Sequence, residues 1–190
     1  MSDRLTPEEQ RTLLRLARQA METAVRGERL PPPLDESALT PRLRELGASF
    51  VTLTVGGDLR GCIGALEAYQ PLVQDVREHA IAAALEDFRF RPVSPGEVDG
   101  VQIEVSRLTA PTPLEYKDAD DLLAKLRPHV DGVILRDGLR RATFLPQVWE
   151  KIPDRAEFLD NLCAKMGAAP SLWRHKHLTV QIYQVEEFHE

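Results

Sequence analysis

The chain is poor in cysteine: Cys62 and Cys163 are the only two among 190 residues, and they fall in different predicted elements. That excludes a disulfide framework and a zinc-ligand spacing, and it predicts two reduced thiols. No run of about 18 apolar residues is present, which excludes a membrane-spanning helix. The N-terminal stretch MSDRLTPEEQRTLLRLARQAMETAV has no apolar segment leading to a small-residue cleavage site. No secretory signal is therefore expected, and the cytoplasm is the expected compartment. Positive charge is in deficit, with 24 Lys and Arg against 30 Asp and Glu and a formal charge of -6. This disfavours nucleic-acid binding, whose non-specific affinity comes largely from neutralising phosphates. A local group such as Arg136, Arg140 and Arg141 can still hold one phosphate or carboxylate. No iron–sulfur motif occurs, and no cofactor or metal is expected.

What is present is the composition of a globular protein, 43% hydrophobic and 28% charged, in a length that fits one domain of about 100 to 200 residues. A helix is predicted from Pro7 to about Arg26, capped by Thr6 and Glu9, with Leu13, Leu16, Ala17 and Ala20 at helical spacing. Residues 28–47, with Pro31, Pro32, Pro33 and Pro41, read as a connector anchored by Leu30, Leu34, Leu39, Leu43 and Leu46. From Ala48 the period changes to two: Val51, Leu53 and Val55 alternate with Thr52 and Thr54, Gly56 and Gly57 form a turn, and LRGCIGAL follows as the second strand of a hairpin. A helix is predicted from about Pro71 to Glu86, then a loop DFRFRPVSPGEVDG, then a strand VQIEVSRL with Val101, Ile103 and Val105 inward and Glu104 on the other face.

The second half repeats this mixture without repeating the sequence. A short helix around Ala119 to Leu126 precedes a hairpin GVILRDGLRRATFL, turned at Asp137 and Gly138. A helix capped by Asp154 and Glu157 carries Phe158, Leu159, Leu162, Cys163 and Met166 on its apolar stripe and stops at Gly167. One last strand, LTVQIYQVEEF, is expected to close the chain. Hairpins and helices without regular strand–helix–strand alternation predict an α+β fold, built on mainly antiparallel sheet with flanking helices.

The segment LRGCIG carries the chemistry. Alternation along a strand puts Arg60 and Cys62 on one face, and a cation beside a thiol favours the thiolate. Glycine inside a strand marks a place where a ligand or another backbone comes close. Cys62 is thus a candidate nucleophile beside an anion-binding Arg60, or else a small core residue whose glycines serve tight packing. Cys163 reads as core. Glu104, on the polar face of its strand, can pair with Arg60, act as proton acceptor, or be a solvated residue. His175 and His177 are expected on one side of a strand, two ligands short of a metal site.

LRGCIG followed by a helix and DFRF, then IEVSRLTAP, RRATFLPQVWE and EFLDNLCAKMG, resembles the AMMECR domain family from about Ala48 to the C-terminus. The resemblance implies a single domain over 1–190, with residues 1–47 forming the N-terminal helix and connector. It also implies two α+β lobes with the LRGCIG strand beside a cleft between them. The cleft candidates it carries onto this chain are Cys62 and Glu104 as catalytic groups and Arg60, Asp87, Arg89 and Thr143 as ligand-binding groups, with Pro146 nearby. The family pattern usually has DPRF where this chain has Asp87, Phe88, Arg89 and Phe90. The implied role is a component of a system that includes a Memo-like protein and a radical S-adenosylmethionine enzyme. In that role the cleft binds a small anion or a partner segment, or runs thiol-dependent chemistry.

Overall fold

The computed structural model describes residues 4–29 and 39–190. In chain order its helices are α1 (Pro7–Val25), α2 (Pro41–Arg44), α3 (Leu72–Leu85), α4 (Ala119–Lys125), α5 (Arg155–Lys165) and α6 (Leu172–His175). Its strands are β1 (Leu46–Val55), β2 (Asp58–Gly64), β3 (Gln70–Pro71), β4 (Val101–Leu108), β5 (Thr112–Pro113), β6 (Gly132–Asp137), β7 (Arg140–Phe144), β8 (Thr179–Tyr183) and β9 (Val185–His189). The chain forms two compact units, one running to Thr109 and reclaiming Glu186–Glu190, the other Ala110–Val185. Both are antiparallel sheets with flanking helices, an α+β architecture.

In the first unit the sheet order is β2-β1-β4-β9, with β3 added to the start of β1. Helix α1 starts at the expected cap, where Thr6 accepts from the Glu9 N–H and Glu9 reaches back to the Thr6 N–H at 2.8 Å. The β1–β2 turn is Gly56 and Gly57, at φ 60° and 90°, the left-handed pair that a two-residue hairpin favours. Register puts Val51 opposite Val105 and Leu53 opposite Ile103. This face packs on Leu13, Ala17 and Met21 of α1 and Val76, Ala80 and Ala83 of α3.

Leu46 lies on the opposite face by alternation and is 66% exposed, so it anchors nothing, whereas Leu39 and Leu43 are buried as expected. Leu30, Leu34 and the run Pro31, Pro32 and Pro33 fall outside the described residues.

In the second unit the sheet order is β5-β8-β6-β7. One face, with Val133, Leu135, Ala142 and Val180, packs on Phe158, Leu159, Leu162 and Cys163 of α5. The Trp149 and Phe158 rings stack at 3.6 Å between centroids. The hairpin turn is Gly138 and Leu139 rather than Asp137 and Gly138, because Asp137 still pairs with Arg140. Gly138 takes the positive φ, 61°, that the first turn position demands.

The expected single last strand is two, β8 and β9, which belong to different sheets. The apolar alternation Leu178, Val180, Ile182 breaks at Gln184, where the chain changes sheet. His175 ends α6 and His177 precedes β8, so they do not share a strand.

The two glycines of LRGCIG have separate steric causes. A Cβ on Gly61 would stand 2.0 Å from the Ala83 carbonyl oxygen, and one on Gly64 would stand 2.4 Å from the Phe50 ring. The α3 backbone therefore seats directly on β2 at Gly61. Gly61→Ala is expected to lower stability by about 1–3 kcal/mol or more, read as a lower urea midpoint. Gly96→Ala is the control, since its Cβ would meet nothing within 4 Å. An unchanged midpoint for Gly61→Ala would show that α3 does not sit on the strand.

Candidate functional site

Cys62 lies on β2, which is the edge of the first unit's sheet. Register places Thr52 opposite both Cys62 and Glu104, so Cys62, Thr52 and Glu104 form one row across three strands. The helices cover the face that holds Leu53 and Ile103, so this row lies on the other one. Thr52 Oγ1 donates to Cys62 Sγ at 3.2 Å. Glu104 stands two strand spacings from Cys62, about 10 Å between backbones, with Thr52 between them. All three side chains are half-buried.

The edge of β2 is finished by the loop that follows α3. The Cys62 N–H donates to Asp87 Oδ2 at 2.8 Å, and Arg89 Nη2 donates to the Cys62 carbonyl at 3.3 Å. Both backbone groups of Cys62 therefore point away from β1. That is the geometry of a pair not hydrogen-bonded across the ladder, which brings the facing Thr52 and Cys62 side chains close. Asp87 and Arg89 are themselves joined, Nε to Oδ1 at 2.9 Å and Nη2 to Oδ2 at 2.6 Å. Arg89's hydrogen bonds, helped by the Cys62 N–H, hold the buried Asp87 carboxyl well below the usual carboxylate range. The pair works as a substitute for a neighbouring strand, satisfying edge groups that would otherwise be open to pairing.

Arg60 is placed differently from the simple alternation. Leu53 pairs with Gly61 while Thr54 pairs with Leu59, so Arg60 is the extra residue of a β-bulge. Its guanidinium turns to the 91–97 loop, donating to Glu97 Oε1 at 3.1 Å and Oε2 at 3.3 Å and to the carbonyls of Arg91 and Pro92 at 2.8 and 3.3 Å. These bonds, with those from Ser94, bring the Glu97 carboxyl down to about 2. Arg60 thus pairs with Glu97, not with Glu104, and the cation that touches Cys62 is Arg89.

Glu104 has no hydrogen-bond or ion-pair partner among the described residues. Thr143 lies in the second unit, on β7, where its hydroxyl meets the Tyr183 hydroxyl at 3.1 Å; Pro146 opens a 3-10 turn there. Among the described residues no cluster of three or more His, Cys, Asp or Glu has the arrangement to hold a metal.

Two residues of this neighbourhood escape a reading of the motif. Thr52 was legible only as a polar strand position, and its pairing with Cys62 depends on hairpin register. Glu97 sits 37 residues after Arg60, in a loop whose path the sequence does not mark.

The ion pairs give an acid signature. Asp87 and Glu97 titrate lower in the folded chain than in the unfolded one, so their ionisation favours the fold above their ordinary values. That contribution fades as pH falls from about 5 toward 2. Asp87→Asn is expected to cost about 1–3 kcal/mol near neutral pH, because the Cys62 N–H and Arg89 lose a charged partner. The double variant Asp87→Asn, Glu97→Gln should lose less stability than the parent between about pH 7 and pH 3 in urea melts. Equal acid sensitivity would show that these pairs do not form.

Comparison with known proteins places these features in a family. The AMMECR1 family model matches residues 14–188. A protein of Methanothermobacter thermautotrophicus is 41% identical over 194 residues, covering 98% of this chain and 96% of that one. A protein of Methanopyrus kandleri is 38% identical over 198 residues, covering 100% and 92%. The crystal structure of an uncharacterised protein from Pyrococcus horikoshii superposes with a TM-score of 0.75 at 35% identity, covering 98% of this chain and 93% of that one. With the LRGCIG strand, the Asp87–Arg89 loop and all but the last residue of the two sheets inside the matched span, the chain belongs to the AMMECR1 family.

Proposed function

We propose that the protein is a cytoplasmic binding subunit whose Cys62 face receives a basic group, presented by a segment of a partner protein, against Glu104. The observation that carries this reading is the charge balance of the site. Arg60 is neutralised by Glu97 of the 91–97 loop and Arg89 by Asp87 of its own loop, whereas Glu104 is half-buried and without a partner among the described residues. An anion brought to Arg60 must first displace Glu97, so a small anionic ligand at this position is disfavoured. A lysine or arginine brought to Glu104 displaces nothing but water and gains a charge-assisted hydrogen bond. The partner in this reading is the Memo-like protein or the radical S-adenosylmethionine enzyme of the system that the family resemblance implies.

A second reading, thiol chemistry at Cys62, is favoured by the Thr52 hydroxyl that donates to the sulfur and by the partial exposure of the thiol. Against it, no histidine hydrogen-bonds Cys62 among the described residues, and the carboxylate on its row is two strands away.

Calorimetric titration with the Memo-like and radical partners separates the two readings. Glu104→Gln and Glu104→Lys are expected to weaken binding by about tenfold or more, while Cys62→Ser stays within about twofold. Binding by the parent that is indifferent to Glu104→Lys would overturn the docking site. The companion measurement is alkylation of the native protein. Cys163 is fully buried, and burial pushes its thiol above the usual range, so any native reaction reports Cys62. A pH midpoint for Cys62 well below about 8.5 would favour the thiol reading.

A further inference from the structure

The Cys62 face carries more than a carboxylate. Both backbone groups of Cys62 turn away from β1, so those of Thr52 turn to β4, and Thr52 and Glu104 form a hydrogen-bonded pair with Cα atoms about 5.5 Å apart. The Thr52 hydroxyl commits its one proton to Cys62 Sγ, at 3.2 Å, and what it offers outward is lone pairs. An incoming group therefore meets acceptors at this row: the two carboxylate oxygens of Glu104 and the Thr52 oxygen beside them. Arg89, which touches the Cys62 carbonyl, keeps its charge against Asp87.

Phe50 lies two residues back along β1 on the same face, about 7 Å from Thr52. It stands opposite Gly64, and a Cβ there would collide with the Phe50 ring. The ring thus lies over β2 in the space of the missing side chain, and it is half-buried like Thr52 and Glu104. Gly64 in this way lays a flat apolar surface beside the acceptor row, whereas Gly61 admits α3 on the other face.

We propose that the basic group received on this face is the side chain of an unmodified lysine. This rests on the docking reading above and narrows it. The four-carbon stem lies along the Phe50 ring, and the ammonium donates to Glu104 and to Thr52 Oγ1. A compact head with three rotatable donors serves acceptors that come from two different strands, whereas a guanidinium fork is shaped for both oxygens of one carboxylate. Trimethylation removes every N–H donor of that head and acetylation removes its charge, so either modification of the partner's lysine closes the site.

The test follows backbone amide shifts of isotope-labelled protein titrated with capped Gly-Lys-Gly, and with the same peptide carrying arginine, Nε-trimethyllysine or Nε-acetyllysine at its centre. Saturable shifts at Thr52, Cys62 and Glu104 are expected with lysine, binding about fivefold weaker with arginine, and no saturation with the two modified lysines. Thr52→Val should abolish the preference for lysine over arginine and Thr52→Ser should keep it, because only serine retains the oxygen. Phe50→Leu should weaken lysine binding by about threefold. Arginine bound as tightly as lysine, a saturable site for trimethyllysine, a preference that survives Thr52→Val, lysine binding untouched by Phe50→Leu, or a lysine peptide that never saturates would each overturn the lysine assignment. Glu104→Gln should weaken the lysine and arginine peptides alike, by about tenfold or more. If it does and the preference is absent, docking against Glu104 stands and the lysine assignment falls. If both peptides bind and neither responds to Glu104→Gln, the docking reading falls with it.

Discussion

The contact between the α3 backbone and Gly61 is the constraint from which the site follows. A strand and a helix approach so closely only where the strand offers no side chain, and here the Ala83 carbonyl occupies the space of a Cβ. Seating α3 at that point also fixes where its C-terminal end delivers the chain. Val93 donates to the Ala84 carbonyl, and Asp87 is brought to the Cys62 N–H. One close approach thus determines both the packing of the helix layer and the loop that closes the sheet edge.

The charged residues of the motif region then acquire roles that their chemistry alone does not suggest. Asp87 and Arg89 satisfy both backbone groups of Cys62, and Arg60 ties the bulge to the 91–97 loop through Glu97 and two carbonyls. An edge strand with open N–H and C=O groups invites pairing with other chains, and this loop removes the opportunity at Cys62. The arginines are therefore structural before they are anything else. Cys62 keeps a half-exposed side chain on a backbone that is held on both sides.

The parts of the fold carried by periodicity were legible in the sequence. The capping box at Thr6 and Glu9, the two-period run from Val51 to Val55, the glycine turn and the stripe Phe158, Leu159, Leu162 and Cys163 all have local causes, and all appear. What was hidden depends on register or on distant contacts. The bulge adds one residue at Arg60 without changing composition, and it redirects the guanidinium from Cys62 to Glu97. Gln184 separates two strands of different sheets inside a run that reads as one strand; the only local mark is the break in alternation at Gln184 itself. The glycines of LRGCIG announced a close approach, but only the structure identifies the approaching groups as the Ala83 backbone and the Phe50 ring.

Each unit buries one sheet face under its own helices and leaves a polar row on the other, and the charge that lacks a partner differs between them. Among the described residues, in the first unit it is the Glu104 carboxylate, beside the Thr52 hydroxyl and one strand further from the Cys62 thiol; in the second it is the Arg136 guanidinium, opposite a second arginine. Had Arg60 kept simple alternation, its charge would have stood on the Cys62 face, and that face would have favoured anions. The bulge moves that charge into a loop contact and leaves the row acidic. Swapping which side of β2 carries Arg60 would therefore change the sign of the group that the Cys62 face attracts, without changing one residue of LRGCIG.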